Sequence, residues 1–455
     1  MFILLVRKEL LEQLLSLRFA MACVLCLVIM LSSTFVLTKD YKEALADYRT
    51  NVVMHENQIE ASNDLVWDGI KVDKPLNPLQ IFVRGVSREL TATAKINGPT
   101  EPQFEANFEG NPVVFLFPTI DLFYFVGVVM SLLAIAFSYD AVSGEKELGT
   151  LKVLMSYSVP RDLVLLAKWR GDYLALVTPF LLSFLSGLVV VILFPTVELR
   201  PPHWQALGLI LACSLLYLGA IYSVGIFASA RTHLASTSIT VLLMVWVLIV
   251  FVAPNVAPYI GTLAHPMRDF VTVDKEKRQL EREEEEKFEA EWKEWEENNP
   301  DAEDNIRWST WPTLKRKQLV AMSGSQDKIN DNFLKQMDTQ IGLAQYLSRV
   351  SPLSSFAFAA CDLAGSGVRD RNRFQQLLPD YRREITQFGF ETRINAARND
   401  SWDERTIEGY PRLAYEESRL SDRLATVYPD ILLLGVWNVI FFMGAYLSFL
   451  RYDVK

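Results

Sequence analysis

Six runs of this sequence are each apolar for about 20 residues, the length at which a helix crosses the hydrocarbon of a bilayer. They lie at Phe19–Leu37, Phe115–Tyr139, Tyr173–Phe194, Ala206–Ala230, Leu234–Ala253 and Ile431–Leu450. Lipid offers backbone N–H and C=O groups no partner, so such runs fold as helices that satisfy their own hydrogen bonds. Half of the 455 residues are hydrophobic, and they are clumped into these runs rather than spread at amphipathic spacing. The chain is therefore expected to be mainly α: a polytopic membrane protein with six transmembrane helices and a largely helical extracytoplasmic domain.

Orientation follows from lysine and arginine in the short loops. Arg7, Lys8 and Arg18 precede the first run. Lys146, Lys152, Arg161, Lys168 and Arg170 lie between the second and third, and Arg231 between the fourth and fifth. Arg451 and Lys455 follow the sixth, whereas the loop after the third run carries only Arg200. Six crossings put both termini on one side, and the basic segments make that side the cytoplasm. Residues 38–114 and 254–430 then face outward, and 140–172 forms a cytosolic loop. The net charge of −9 gives no support to nucleic-acid binding. Of four cysteines only Cys361 lies outside the runs, so the outer domain cannot close an internal disulfide.

Residues 1–18 read as an amphipathic helix in the inner interface, with Val6, Leu10, Leu14 and Leu17 opposite Arg7, Lys8, Glu12 and Gln13. A plain cytosolic extension of the first span is the alternative. A cleaved signal peptide fits less well, because no A-x-A site follows the apolar stretch. In the first outer loop DYKEALADYRTNVVMHENQIEAS reads as a helix and LQIFVR as a strand. In the second, Met267–Asn299 reads as one helix stopped by Pro300. A second helix is expected from Thr313, after Trp311-Pro312, to about Leu347. At 1.5 Å per residue each would be about 45–50 Å long. The pair is either a solvated acidic hairpin packed on its own stripe or a docking surface for an extracytoplasmic protein partner. The apolar part of Leu347–Gly365 is too short to span and suits an interfacial helix or one buried in the outer domain.

Chemistry is sparse. No G-x-S-x-G, H-E-x-x-H or Cys–His pattern occurs, and no metal-ligand spacing. The run interiors lack a charged relay; Asp121 and Asp140 sit at the ends of the second, and Asn438 is the polar residue deep in the sixth. Gly144-EKEL-Gly149-Thr150 has the glycine spacing of a phosphate loop without its Lys and Ser/Thr. The chain is expected to be non-catalytic, with no cofactor of its own.

A membrane body without an energy site can borrow force from a soluble motor through a rigid cytosolic knob. SGEKELGTLKVLMSYSVPRDLVLLAK has the properties required. Gly144 allows a turn, and Glu145, Lys146 and Glu147 open a short helix whose dipole suits acidic residues. Leu148, Leu151, Val153 and Leu154 supply an apolar side, and Ser158-Val159-Pro160 ends it. A generic inner-loop helix with solvated charges is the bland alternative.

This stretch resembles the cytosolic loop of ABC-2-type ABC transporter permeases, in particular those with enlarged extracytoplasmic loops. The positions that carry the likeness are Glu145, Glu147, Gly149, Thr150, Leu151, Pro160, Arg161 and Lys168. The resemblance implies a coupling helix seated in a separate cytosolic ABC ATPase subunit, which would bind ATP and Mg. Glu145 and Glu147 would meet basic residues there while Leu148 and Leu151 pack. It further implies a second permease subunit, residence in the bacterial cytoplasmic (inner) membrane among its lipids, and export or extraction of a substrate. Gly208, Ala212, Gly219, Ser223, Gly225 and Ser229 would serve close helix packing, within the subunit or across a dimer. Two other readings stay open: a transmitter that drives an outer partner mechanically, and a membrane sensor with a ligand-binding outer domain.

Overall fold

The structure is a computed structural model that describes residues 2–62, 64–85, 93–98, 101–104, 120–156, 159–399 and 409–451. Residues 115–119 of the second apolar run and 157–158 before Pro160 lie outside them. Among the described residues six helices are long and apolar enough to cross a membrane: Leu17–Ala61, Leu122–Glu147, Arg161–Ile192, Pro201–Arg231, Ala235–Ala264 and Leu420–Leu450. They are numbered here as spans 1 to 6.

Several helices do not stop where their apolar character stops. No glycine or proline occurs between Leu17 and Ala61, so span 1 runs on as one 45-residue helix into the extramembrane domain. Span 5 continues to Ala264 through a π-helical turn and past Pro254 and Pro258. Span 6 begins at Leu420 and passes through Pro429. A proline costs one backbone hydrogen bond, which a helix packed on both sides of it can bear. The same holds at Pro312, which lies inside the helix Asp304–Ser348 and does not precede its start as expected.

Span 4 is the centre of the bundle. Its small residues are spent mainly inside the subunit. Gly225 lies against Ser138 so closely that a Cβ there would fall 1.8 Å from the hydroxyl oxygen. Ser223 Oγ accepts from Trp169 Nε1 at 2.9 Å, and Asn438 Nδ2 donates to the Leu216 carbonyl at 2.8 Å beside Gly219. Only Gly208 and Ala212 of the set face outward.

The short apolar helix Pro352–Ala364 takes neither expected place. It is inserted among the spans and shares their core. Phe356 stacks on Tyr217 at 5.2 Å and on Phe123 at 5.9 Å. It packs chiefly on spans 4 and 6, and two further neighbouring spans carry a π-helical turn, Phe125–Met130 in span 2 and Leu248–Val252 in span 5. The carbonyls freed by such turns find side-chain donors. Tyr217 donates to the Gly127 carbonyl at 2.9 Å, and Ser351, the N-cap of the inserted helix, donates to the Ile249 carbonyl at 2.6 Å.

The extramembrane domain has its own core. Three antiparallel strands, β1 (Ile70–Asp73), β2 (Thr93–Ile96) and β3 (Gln103–Phe104), pair in sequence order. Their inner residues Ile70, Ala94 and Ile96 pack with Ile59 of span 1 and with Phe374, Leu378 and Ile385 of the helix Val368–Asn399. LQIFVR is not a strand: Pro78–Ile81 forms a 3-10 turn, capped by the Asn77 side chain, that buries Phe82 and Val83. Phe270–Asn298 and Asp304–Ser348 form an antiparallel hairpin, about 44 and 68 Å long. It is pinned by Lys315, which reaches Glu285 at 2.7 Å and lies 4.3 Å from the Phe288 ring centre.

Candidate functional site

The connection between spans 2 and 3 is a rigid elbow of two short helices, Ser143–Glu147 and Thr150–Ser156. The bend falls at Gly149, whose φ of +73° side chains rarely adopt. Gly144, expected to turn the chain, is helical.

The acidic-basic-acidic triplet points back into the protein. Glu145 Oε1 accepts from Lys168 Nζ at 2.8 Å, and the same ammonium reaches Glu9 Oε2 of the N-terminal helix at 3.2 Å. That helix, Phe2–Leu14, lies on span 3 with Glu9 buried, Arg7, Lys8 and Glu12 exposed, and Ile3, Leu4, Leu11 and Leu15 exposed as well. Lys146 Nζ donates to the carbonyls of Ala230 and of Thr232, the latter at 3.0 Å, and so caps the end of span 4. Glu147 Oε2 accepts from the N–H of Ala235 at 3.0 Å, an anion at the N-terminus of span 5. Ser229 Oγ of span 4 accepts the N–H groups of Val142 and Ser143 at 3.0 and 2.9 Å. Asp140 accepts from Arg18 of span 1 at 2.8 Å. Arg161 donates to the Leu450 carbonyl at the end of span 6 at 2.9 Å.

The elbow is thus tied directly to spans 3, 4 and 5, and the ends of spans 2 and 3 on either side of it are tied to spans 1 and 6. Charge-assisted hydrogen bonds of this kind contribute about 1.5–3 kcal/mol each, and burial makes them costly to break one at a time. The Glu145 carboxylate is engaged within the chain by Lys168, whereas Glu147, bonded to the Ala235 N–H through one oxygen, stays exposed beside the tip. Leu151, expected to pack on a partner, is corrected. It is fully buried in the body, where an aliphatic side chain contributes about 2 kcal/mol by leaving water. What faces outward is a small tip. Leu148 is 79% exposed and Val153 60%, flanked by exposed Thr150, Lys152 and Pro160.

Beneath the elbow Lys168 belongs to a buried polar cluster whose other member on its helix, Asp172, no motif marks. Lys168 and Asp172 fall before the apolar run Tyr173–Phe194, yet the helix starts at Arg161 and buries both. Asp172 Oδ2 accepts from the Tyr222 hydroxyl at 3.2 Å. The available signal was spacing: Lys168 and Asp172 are four apart and share a helix face.

The profile of the family described as "ABC-2 family transporter protein" matches residues 3–454. The chain is 33% identical over 125 residues to the "Probable ABC transporter permease protein NosY" of Stutzerimonas stutzeri, a stretch covering 27% of this chain and 45% of that one. It is 34% identical over 115 residues to the protein of the same name from Pseudomonas aeruginosa, covering 24% and 42%. The chain thus matches less than half the length of each of these relatives.

Proposed function

Because the chain belongs to the ABC-2 transporter family, and is a multi-pass membrane protein of the permease type, we propose that it couples ATP hydrolysis by a separate cytosolic subunit to export or extraction of a substrate. The observation that carries this reading is the elbow between spans 2 and 3. An exposed apolar tip stands on a base bonded to spans 3, 4 and 5 and, through Lys168, to the N-terminal helix, while the adjoining ends of spans 2 and 3 hold spans 1 and 6. A push on Leu148 and Val153 would be passed to the bundle as a unit, since the buried ion pairs leave the base no soft joint. In this reading the termini and the elbow face the cytoplasm of a bacterial inner membrane, ATP and Mg are held by the motor, and a second permease subunit completes the pathway. The chain itself does no bond chemistry.

The inserted helix Pro352–Ala364 closes the opposite end of the bundle in this reading. It is held to span 6 by Arg349, which makes two hydrogen bonds to Asp430 at 2.6 and 3.0 Å, and by Arg423, which donates to the Leu363 carbonyl at 3.1 Å. Opening would require these contacts to part.

A second reading, mechanical drive of an outer partner, draws on one feature. Spans 1 and 5 continue unbroken into the extramembrane domain, and span 5's extension packs on the long hairpin helix with Gly261 against Ala344. Rigid helices of this kind transmit motion outward without passage of a substrate.

The test is the double substitution Leu148→Asp and Val153→Asp. The expected result is loss of ATPase co-purification and of ATP-dependent activity, with the melting temperature of the isolated permease unchanged because both side chains are exposed. Unaltered ATP-dependent activity in a complex carrying both substitutions would overturn the docking assignment.

A further inference from the structure

We propose that the phosphate of an anionic phospholipid binds in a cavity between the ends of spans 4 and 6, on the elbow side of the bundle. The cavity is about 650 Å3. Three cations line it, Arg231 at the end of span 4, Arg451 at the end of span 6 and Lys146 from the elbow, together with the His233 imidazole. Among the described residues no carboxylate lines it. Arg231 and Arg451 are exposed, and among the described residues no carboxylate lies within 4 Å of either.

Two helix C-termini converge here, and their carbonyls would ordinarily repel an anion. Both ends are already covered by cations. Lys146 donates to the last carbonyls of span 4, and Arg161 to Leu450 of span 6. The guanidinium groups of Arg231 and Arg451 are thus not the ones spent on these carbonyls.

The position selects a lipid as the source of the phosphate. The cavity lies where spans 4 and 6 leave the bilayer, and Leu447, on its edge, is half exposed with Met443 one turn further in. A headgroup phosphate between Arg231 and Arg451 would have its acyl chains beside these side chains. Basic pockets between helices at a membrane surface bind anionic headgroups by this combination. The inference does not depend on an ATPase partner.

The full chain, purified in neutral detergent, is offered equal phosphatidylglycerol and phosphatidylcholine, and bound lipid is counted by native mass spectrometry. Wild type is expected to retain phosphatidylglycerol preferentially. R231Q/R451Q should weaken that retention about fivefold for each arginine removed, at about one charge's worth of surface attraction apiece. Ser448→Trp, which fills the cavity without altering charge, should lose it as well, while R200Q at the other end of span 4 should not. Equal retention of the two lipids by wild type would overturn the proposal. So would wild-type retention in either R231Q/R451Q or the Ser448→Trp variant. Displacement of the bound lipid by millimolar inorganic phosphate would transfer the site to a soluble anion and remove the lipid from it.

Discussion

Removing the Lys168 ammonium leaves Glu145 without its cation and Glu9 with only the exposed Lys8, 3.3 Å away. Breaking one partner out of a buried charged set costs more than the set contributes as a whole, because the remaining charges stay desolvated. Lys168→Met should therefore destabilise the protein by about 3 kcal/mol, the lower end of the usual range since Glu145 keeps some exposure. Unfolding by denaturant in detergent reads this directly. Neutralising the two acids as well, with Glu9→Gln and Glu145→Gln, should recover most of the loss. If the triple variant is as unstable as Lys168→Met alone, shape and not charge explains the site. Substituting Leu151, by contrast, would unfold the elbow and say nothing about docking, since that side chain is core.

Among the elements, the inserted helix Pro352–Ala364 carries a built-in reporter. Cys361 lies on it, while Cys23, Cys26 and Cys213 lie in the spans. Arg349 holds its N-terminal end to Asp430, which is almost wholly buried. Arg349→Met would leave that carboxylate without its bidentate partner and free the helix to lift. Maleimide labelling of Cys361 should then run several-fold faster than in wild type, in a background where the other three cysteines are serine. An unchanged rate would mean that the aromatic stack of Phe356 on Tyr217 and Phe123 holds the helix unaided. The two π-helical turns that flank it belong to the same device, because their unpaired carbonyls take donors from the helix's own N-cap and from span 4.

At the scale of the molecule, the extramembrane domain is joined to the spans through a polar knot at Glu417. The His203 imidazole lies 3.8 Å from its carboxylate, and its other nitrogen accepts the Arg200 N–H, which directs the remaining ring proton toward Glu417. This contact holds the Glu417 carboxyl below its ordinary value against the opposing effect of burial, with help from Arg423 at 3.5 Å. A carboxyl with a lowered folded value stabilises the protein above its unfolded pKa, about 4.3, and that stabilisation is lost as pH falls through the folded value. The melting temperature should decline on acidification below about pH 4.3, and Glu417→Gln should flatten that limb of the curve. Superimposable pH profiles for the two proteins would remove Glu417 from the joint.

The helical class, the six spans and the family could all be read from the chain, because hydropathy is a property of consecutive residues and the SGEKELGTLK stretch is a local pattern. The direction in which Glu145, Lys146 and Glu147 point could not. A short charged helix offers its charges to solvent or to neighbours with equal ease, and only the arrival of Lys168, the end of span 4 and the start of span 5 decides between them. The seat of Pro352–Ala364 was hidden for the same reason. Thirteen apolar residues are too few to announce a span, and what they pack against depends on the aromatic faces that spans 2 and 4 present once folded. Sequence thus determined which segments must leave water. The tertiary structure decided which charges stayed out of it with them, because the partner that makes a buried charge tolerable lies far away in the chain.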